Sequence, residues 1–241
     1  MCIRDSSKLN LKSKPILQFR QMVAEGKYSE IYGDIPKRPL FLQMIISDLL
    51  TDPHSESKIS IASLYRKYLI QKVQRDLTGS FKDVILDRGL NNEEGLLSFN
   101  LKVFNALEDI ASKMIIKENN TFFLQNIINN ETVEKIIINY GFNSIIDFSL
   151  HSVLVPAEER RNFVFNLKFA HFSFLEYFIA RYLLNEIIVN QEWLNYKYEP
   201  SLLNFLTGLL KEDEFSDVLL FFKTNNSVTE TTLGKFIINY I

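Results

Sequence analysis

One cysteine, Cys2, stands among 241 residues. No intramolecular disulfide and no cysteine-cluster metal site can be built from it, which removes disulfide scaffolds and zinc fingers and fits a reducing compartment. Charge of one sign is not in excess either, since 27 Lys+Arg against 29 Asp+Glu leave a net charge of −2. Neither a global basic field for nucleic acid nor an acidic solvating tail is present. The chain also lacks the roughly 18 uninterrupted apolar residues of a spanning helix. Its most apolar stretch, residues 172–189, is broken by Glu176, Arg181 and Glu186. The first seven residues carry none of the segments of a secretory signal, so the expected location is cytoplasmic, with no membrane partner. Glycine and proline are scarce, 8 and 6, and no proline falls between Pro53 and Pro156. That scarcity favours long helices joined by polar turns.

What is present describes a globular chain, 46% hydrophobic and 23% charged, enough for one large domain or two small ones. Pro36 and Pro39 behind Asp34 suit a helix start, because proline's missing N–H is harmless in a first turn; an apolar helix over 40–50 follows, and Asp52-Pro53 closes it. Ser60 can cap a second helix in which Ile61, Leu64, Tyr65, Tyr68, Leu69 and Val73 recur at helical spacing, ending near Gly79. Leu97, Leu101, Phe104, Leu107, Ile110, Ala111 and Met114 predict a third amphipathic helix, followed by a turn at Asn119-Asn120. Residues 121–124 suit a short strand, and Asn129 or Asn130 caps a helix that Gly141 terminates. A further helix is expected over 145–151, then a charged turn over 156–162. Next, Phe163, Phe165, Leu167 and Phe169 alternate with Val164, Asn166, Lys168 and Ala170. That period of two predicts a strand, and it feeds a buried helix from Phe172 to about Val189. Pro200 opens further helical segments, 201–210 and 215–222, and 232–241 keeps helical spacing to the last residue.

The order helix, short strand, helix, helix, two-stranded hairpin is that of a winged-helix domain. The expected fold is therefore mostly α: a helical domain, a winged-helix domain with a small β-hairpin, then more α-helices. Domain limits are set at 15–90, 91–190 and 191–241. Residues 1–14 are a non-native or linker segment, because Met1-Cys2-Ile3-Arg4-Asp5-Ser6 resembles translated sequencing-adapter read-through. The natural start is then expected upstream, and an apolar residue ending the last periodic segment predicts truncation there too.

The segment Phe169-Ala170-His171-Phe172-Ser173-Phe174-Leu175-Glu176-Tyr177-Phe178-Ile179-Ala180-Arg181-Tyr182-Leu183 resembles the signature that closes the winged helix of NACHT-type nucleoside triphosphatases, members of the STAND class of signalling switches. Leu175 and Ile179 are the visible departures from that pattern. Lys37-Arg38-Pro39-Leu40-Phe41-Leu42 resembles the Pro-Leu-x-Leu start of the family's preceding helical domain, and Leu64-Tyr65 sits where the family places it. The resemblance covers about residues 15–190. It implies that His171 contacts the β-phosphate of bound ADP, that Pro39 packs near the adenine, and that Mg²⁺ comes with the nucleotide core. The implied partner is an N-terminal nucleotide-binding domain of the same chain, with homo-oligomerisation on activation and a role in prokaryotic antiviral defence. Physics supports the histidine: a helix N-terminus carries unpaired N–H groups and about half a positive charge, to which an imidazole adds a donor. The competing role for His171 is a partly buried residue capping its own helix.

Neither Gly26-Lys27-Tyr28 nor Gly234-Lys235-Phe236 supplies the phosphate-cradling loop Gly-x-x-x-x-Gly-Lys-Ser/Thr, and no Mg²⁺-binding acidic strand precedes the helical region. Without them nothing positions or neutralises a transferred phosphoryl group, so this stretch alone is not expected to hydrolyse ATP. Arg66, Lys67, Lys72 and Arg75 read as a solvated helix face, and 145–151 offers no Lys or Arg to a DNA groove, which makes nucleic acid an unfavoured partner. His54 and His151 lack partners at metal-ligand spacing. The rival reading is a nucleotide-independent helical and winged-helix interaction module or transcription regulator.

Overall fold

The computed structural model describes residues 17, 20–22, 24–25, 39–51, 60–80, 93–119, 121–142, 153–157 and 166–240. The fold is mostly α with two small antiparallel sheets. It comprises two compact units, Met1–Tyr68 and Leu69–Ile241, divided inside one helix. The expected features at Asp34, Pro36 and Asp52-Pro53, the helix over 145–151 and the charged residues 158–162 lie outside the described residues.

In the first unit, α1 (Pro39–Thr51) begins at the proline that the sequence places in a first turn. Met44 and Ile45 are fully buried, and the Phe41 ring meets Tyr65 edge-on at 5.9 Å. Tyr65 belongs to α2 (Ile61–Ser80), whose entry is capped as expected: the Ser60 hydroxyl accepts from the Ser63 N–H at 2.9 Å. The buried Asp48 carboxylate accepts from Lys67 Nζ at 2.9 Å, so Lys67, its side chain 39% exposed, is also a structural ion-pair member.

The second unit is built on α3 (Glu93–Ser112), which starts before the predicted periodic run. Its buried face is Phe99, Val103, Phe104, Leu107, Ile110 and Ala111, whereas Leu97 and Leu101 are 71% and 53% exposed. The apolar spacing is genuine, but α3 keeps only one stripe covered, and those two leucines stand off it. After α3 the chain folds into a hairpin, β1 (Ile115–Glu118) with β2 (Thr121–Leu124), in which Ile116 lies opposite Phe123. Asn119, at φ 47°, makes the turn.

The expected strand at 121–124 thus exists, but it pairs with β1, a strand that the sequence reading did not foresee. The strand that joins the later hairpin is β3 (Ile128–Asn129), in a sheet of order β3-β5-β4 with β4 (Leu154–Pro156) and β5 (Asn166–Phe169). Leu167 and Phe169 of β5 are buried while Asn166 and Lys168 are not, which is the predicted alternation. Between β3 and β4 lies α4 (Asn130–Asn139), capped by the Asn129 side chain accepting from Glu131 N–H. It ends in a Schellman turn: Gly141, at φ 82°, donates to the Ile138 carbonyl and Phe142 to that of Ile137.

β5 leads into α5 (Phe172–Glu186), in which ten of the fifteen residues are buried. One side packs on α3 and another on α6 (Pro200–Leu209). Phe178 meets Phe104 at 5.5 Å and Phe169 at 5.9 Å, while Tyr177 meets Phe205 at 5.9 Å. Burying each such side chain is worth about 1.5–3 kcal/mol, which makes α5 the centre of this unit's core. A 3₁₀ turn (Gln191–Asn195) precedes α6, and another (Asp213–Phe215) leads to α7 (Ser216–Thr224), α8 (Asn226–Thr229) and α9 (Thr232–Ile238).

Gly234 of the rejected Gly-Lys-Phe motif sits in the first turn of α9, where a Cβ would lie 1.9 Å from the Val228 carbonyl oxygen and 2.8 Å from Thr231 Oγ1, the capping atom. Gly234→Ala is expected to lower stability by about 3 kcal/mol, through overpacking and a lost cap. At Gly141 the space is open and only the left-handed backbone opposes a side chain, so Gly141→Ala should cost about 1–2 kcal/mol. Urea unfolding of the two variants checks the ranking.

Candidate functional site at the start of α5

The backbone delivers His171 with little freedom. The β4–β5 ladder pairs Leu154 with Phe169, and the Ala170 N–H still donates to the Val153 carbonyl at 2.7 Å. His171 is therefore the first residue beyond the ladder and the N-cap of α5, with extended φ −132° and ψ 137°. The Phe174 N–H donates to the His171 carbonyl at 3.0 Å, which closes the first turn. The His171 side chain makes no capping hydrogen bond to α5, unlike the Asn129, Asn190 and Thr231 caps. Self-capping, the competing role for this ring, is thus not what the ring does.

The imidazole is partly buried and stands edge-on to Phe174 at 5.3 Å. Burial pushes its pKa below the ordinary histidine value, and the charge of Lys72 on α2 pushes it the same way. A lowered pKa favours the neutral ring, in which one nitrogen donates and one accepts. An imidazole donor, the positive charge of Lys72 and the positive end of a fifteen-residue helix make an environment suited to an anion. Lys72 is the residue that sequence reasoning assigned to a bland face. Its signal was weak, because nothing in the spacing of 66, 67, 72 and 75 ties one of them to position 171.

Pro39 is the first residue of α1 in the other unit. The rest of the signature is packing. Phe174, Leu175, Tyr177, Phe178, Ile179, Ala180 and Leu183 are buried. Buried Glu176 accepts a short hydrogen bond from the Ser201 hydroxyl in the first turn of α6, a carboxylate at a helix N-terminus. Burial pushes the Glu176 carboxyl up, Ser201 opposes this, and Glu199 adds to it.

The strongest charged cluster was not anticipated. Arg181, 3% exposed, donates from Nε to Glu108 Oε1 at 2.5 Å and, through Nη1 and Nη2, to both Glu214 oxygens at 2.9 and 2.6 Å. Asn185 Nδ2 donates to the second Glu108 oxygen at 2.8 Å. The guanidinium lies between Phe104 and Phe215, 5.6 and 5.5 Å from their ring centres. Burial would lower the Arg181 pKa, but the hydrogen bonds to Glu214 and the Glu108 charge hold it above the ordinary arginine value. Burial also pushes the Glu108 carboxyl up, against Arg181 and Asn185, and the Glu214 charge adds to that rise. The sequence signal was there: Arg181 interrupts an otherwise apolar helix, and a buried charge requires a partner.

Among the described residues no three His, Cys, Asp or Glu side chains gather into a group able to hold a metal ion, and no helix is long and apolar enough to cross a membrane. His54, His151 and Gly26 lie outside the described residues. No family model, curated protein or solved structure matches the chain.

Two measurements follow from this geometry. In an NMR titration His171 should titrate below the ordinary histidine range, and Lys72→Ala should raise its pKa only partway, because burial is the larger cause. Since the folded state then binds fewer protons than the unfolded state, the stability that His171 contributes is lost as pH falls through the ordinary histidine pKa toward the folded one. Separately, Arg181→Met strands the Glu108 carboxylate and should cost about 3–5 kcal/mol, whereas Arg181→Met with Glu108→Leu should recover most of it. Chemical denaturation of the three proteins decides this, and an equal loss in single and double variants would show that stranded charge is not the reason.

Proposed function

We propose that this chain is the regulatory lid of a NACHT-like STAND triphosphatase, acting with a nucleotide-binding core that supplies the phosphate loop and Mg²⁺. The observation that carries the reading is His171: a partly buried imidazole at the N-cap of α5, edge-on to Phe174, whose pKa burial and the Lys72 charge both lower. The resemblance of residues 169–183 to the family signature supports the same role. His171 donates to the β-phosphate of ADP, and Pro39 lies near the adenine. Contact with the diphosphate favours the closed lid; exchange for ATP changes that contact and releases it, allowing homo-oligomerisation. A ligand shifts such an equilibrium only through contacts that differ between the two states, and a phosphate-reading histidine provides one. The setting is the cytoplasm of a prokaryote, in antiviral signalling.

The test compares ADP retention in the protein encoded by the complete reading frame with that of His171→Ala. Loss of one hydrogen bond to a phosphate predicts roughly tenfold weaker retention with intact folding. Unchanged retention removes the role of His171. A reading frame with no phosphate loop upstream instead favours the nucleotide-independent interaction module.

A further inference from the structure

The β1–β2 hairpin touches the chain between α5 and α6. Thr121 pairs with Lys197 in a single parallel bridge, which places residues 196–198 beside β2. Lys117 and its cross-strand partner Phe122 share one face of the hairpin, and there Phe122 meets the Tyr198 ring at 5.1 Å. Lys117 reaches the 3₁₀ turn at Gln191–Asn195 and the residue that follows it. Its Nζ lies 3.9 Å from the centre of the Trp193 ring, 5.6 Å from that of Tyr196 and 3.3 Å from Glu192 Oε2. Aromatic faces around a cation, with a carboxylate beside it, are how proteins recognise choline-type ligands and methylated lysine.

The walls of this cage are fixed without Lys117. Trp193 and Tyr196 are buried, with rings 5.5 Å apart and inclined at 41°, and Tyr182 of α5 stands edge-on to the indole at 6.2 Å. Among the described residues no acceptor reaches the buried Trp193 Nε1, so ring packing sets the place of the indole. The Asn190 side chain accepts from the Glu192 N–H at 3.2 Å, and Glu192 Oε1 accepts from the Tyr196 hydroxyl, which leaves Oε2 toward Lys117. The occupant is the loose part. The Lys117 and Glu192 side chains are 38% and 55% exposed, and an ion pair so exposed binds weakly. A lysine stem swings out by side-chain rotation, while Phe122 and the Thr121 bridge still hold the hairpin. The bare ammonium is strongly hydrated, whereas alkyl groups replace its N–H donors and favour the ring faces.

We propose that Trp193, Tyr196 and Glu192 form a binding site for an alkylated ammonium group, that of a methylated lysine or a choline-type cation, which Lys117 fills when no ligand is bound. The ligand displaces the Lys117 ammonium and takes its place over the indole, with Glu192 balancing the charge. This inference does not depend on the nucleotide reading.

Trp193 is the one tryptophan of the 241-residue chain, so its fluorescence reports on the site directly. Tetramethylammonium chloride, exchanged for sodium chloride at constant ionic strength, should change that fluorescence saturably. Lys117→Ala should respond at about tenfold lower concentration than the wild type, because no internal ammonium competes. Adding Glu192→Gln to that variant should weaken binding again by roughly threefold, and tert-butanol, a neutral molecule of similar shape, should not compete. Choline and a peptide carrying trimethyl-lysine, titrated in the same way, separate the two sources by which binds more tightly. The proposal is overturned by the lack of a saturable change in every folded protein of the set, by an equal response to tert-butanol, or by equal affinity with and without Lys117.

Discussion

The second unit depends on one constraint: α5 is covered on nearly every side, so whatever it carries must be satisfied by its neighbours. On the buried positions of such a helix no solvent is available to satisfy a polar group. α5 nevertheless carries Glu176 and Arg181, both buried. The first is answered by the opening turn of α6 and the second by α3 and the segment before α7. Each charge therefore ties α5 to a particular neighbour in a particular register, which apolar contact alone does not do. Aromatic rings fill the space between these ties, with Phe178 touching both α3 and β5.

The same constraint explains how His171 is held. A buried helix cannot tilt without disturbing its neighbours, and its start is sewn to the three-stranded sheet through β5. The imidazole therefore sits on a rigid mount, even though the residue itself lies at a junction. Arg181 lies ten positions further along the same helix, about 15 Å away at 1.5 Å per residue. The histidine and the ion-pair cluster are thus two ends of one stiff rod.

Features written in local chemistry were legible in the sequence. Ser60, Asn129, Gly141 and Pro200 each mark a helix boundary by a mechanism confined to a few neighbouring residues, and the alternation at 166–169 follows from the pleat alone. Features that depend on distant pairing were not. Ile115-Ile116-Lys117-Glu118 has no alternation and becomes a strand because β2 lies beside it. β3 is two residues long, too short to leave a pattern. Leu97 and Leu101 obey helical spacing yet lie outside the covered stripe. Position 171 was singled out by its motif and its place before an apolar run, but Lys72 became its neighbour only through folding. Glu108 and Glu214 stand 73 and 33 positions from Arg181, and spacing carries no trace of such a meeting.

Pro156 has a consequence for how copies of this chain can meet. β4 lies at the end of its sheet, and the bonds from Ala157 N–H to the Asn166 carbonyl and from Ala170 N–H to the Val153 carbonyl show which of its residues face β5. Positions 154 and 156, lying between these, turn their main-chain groups outward. Since proline has no amide hydrogen, that rim offers Leu154 alone as a donor, and a fourth strand would meet one donor fewer than a regular edge provides, though the carbonyls of Leu154 and Pro156 still accept. Pro156 thereby makes that margin a poorer template for an incoming strand than an edge with all its amide hydrogens.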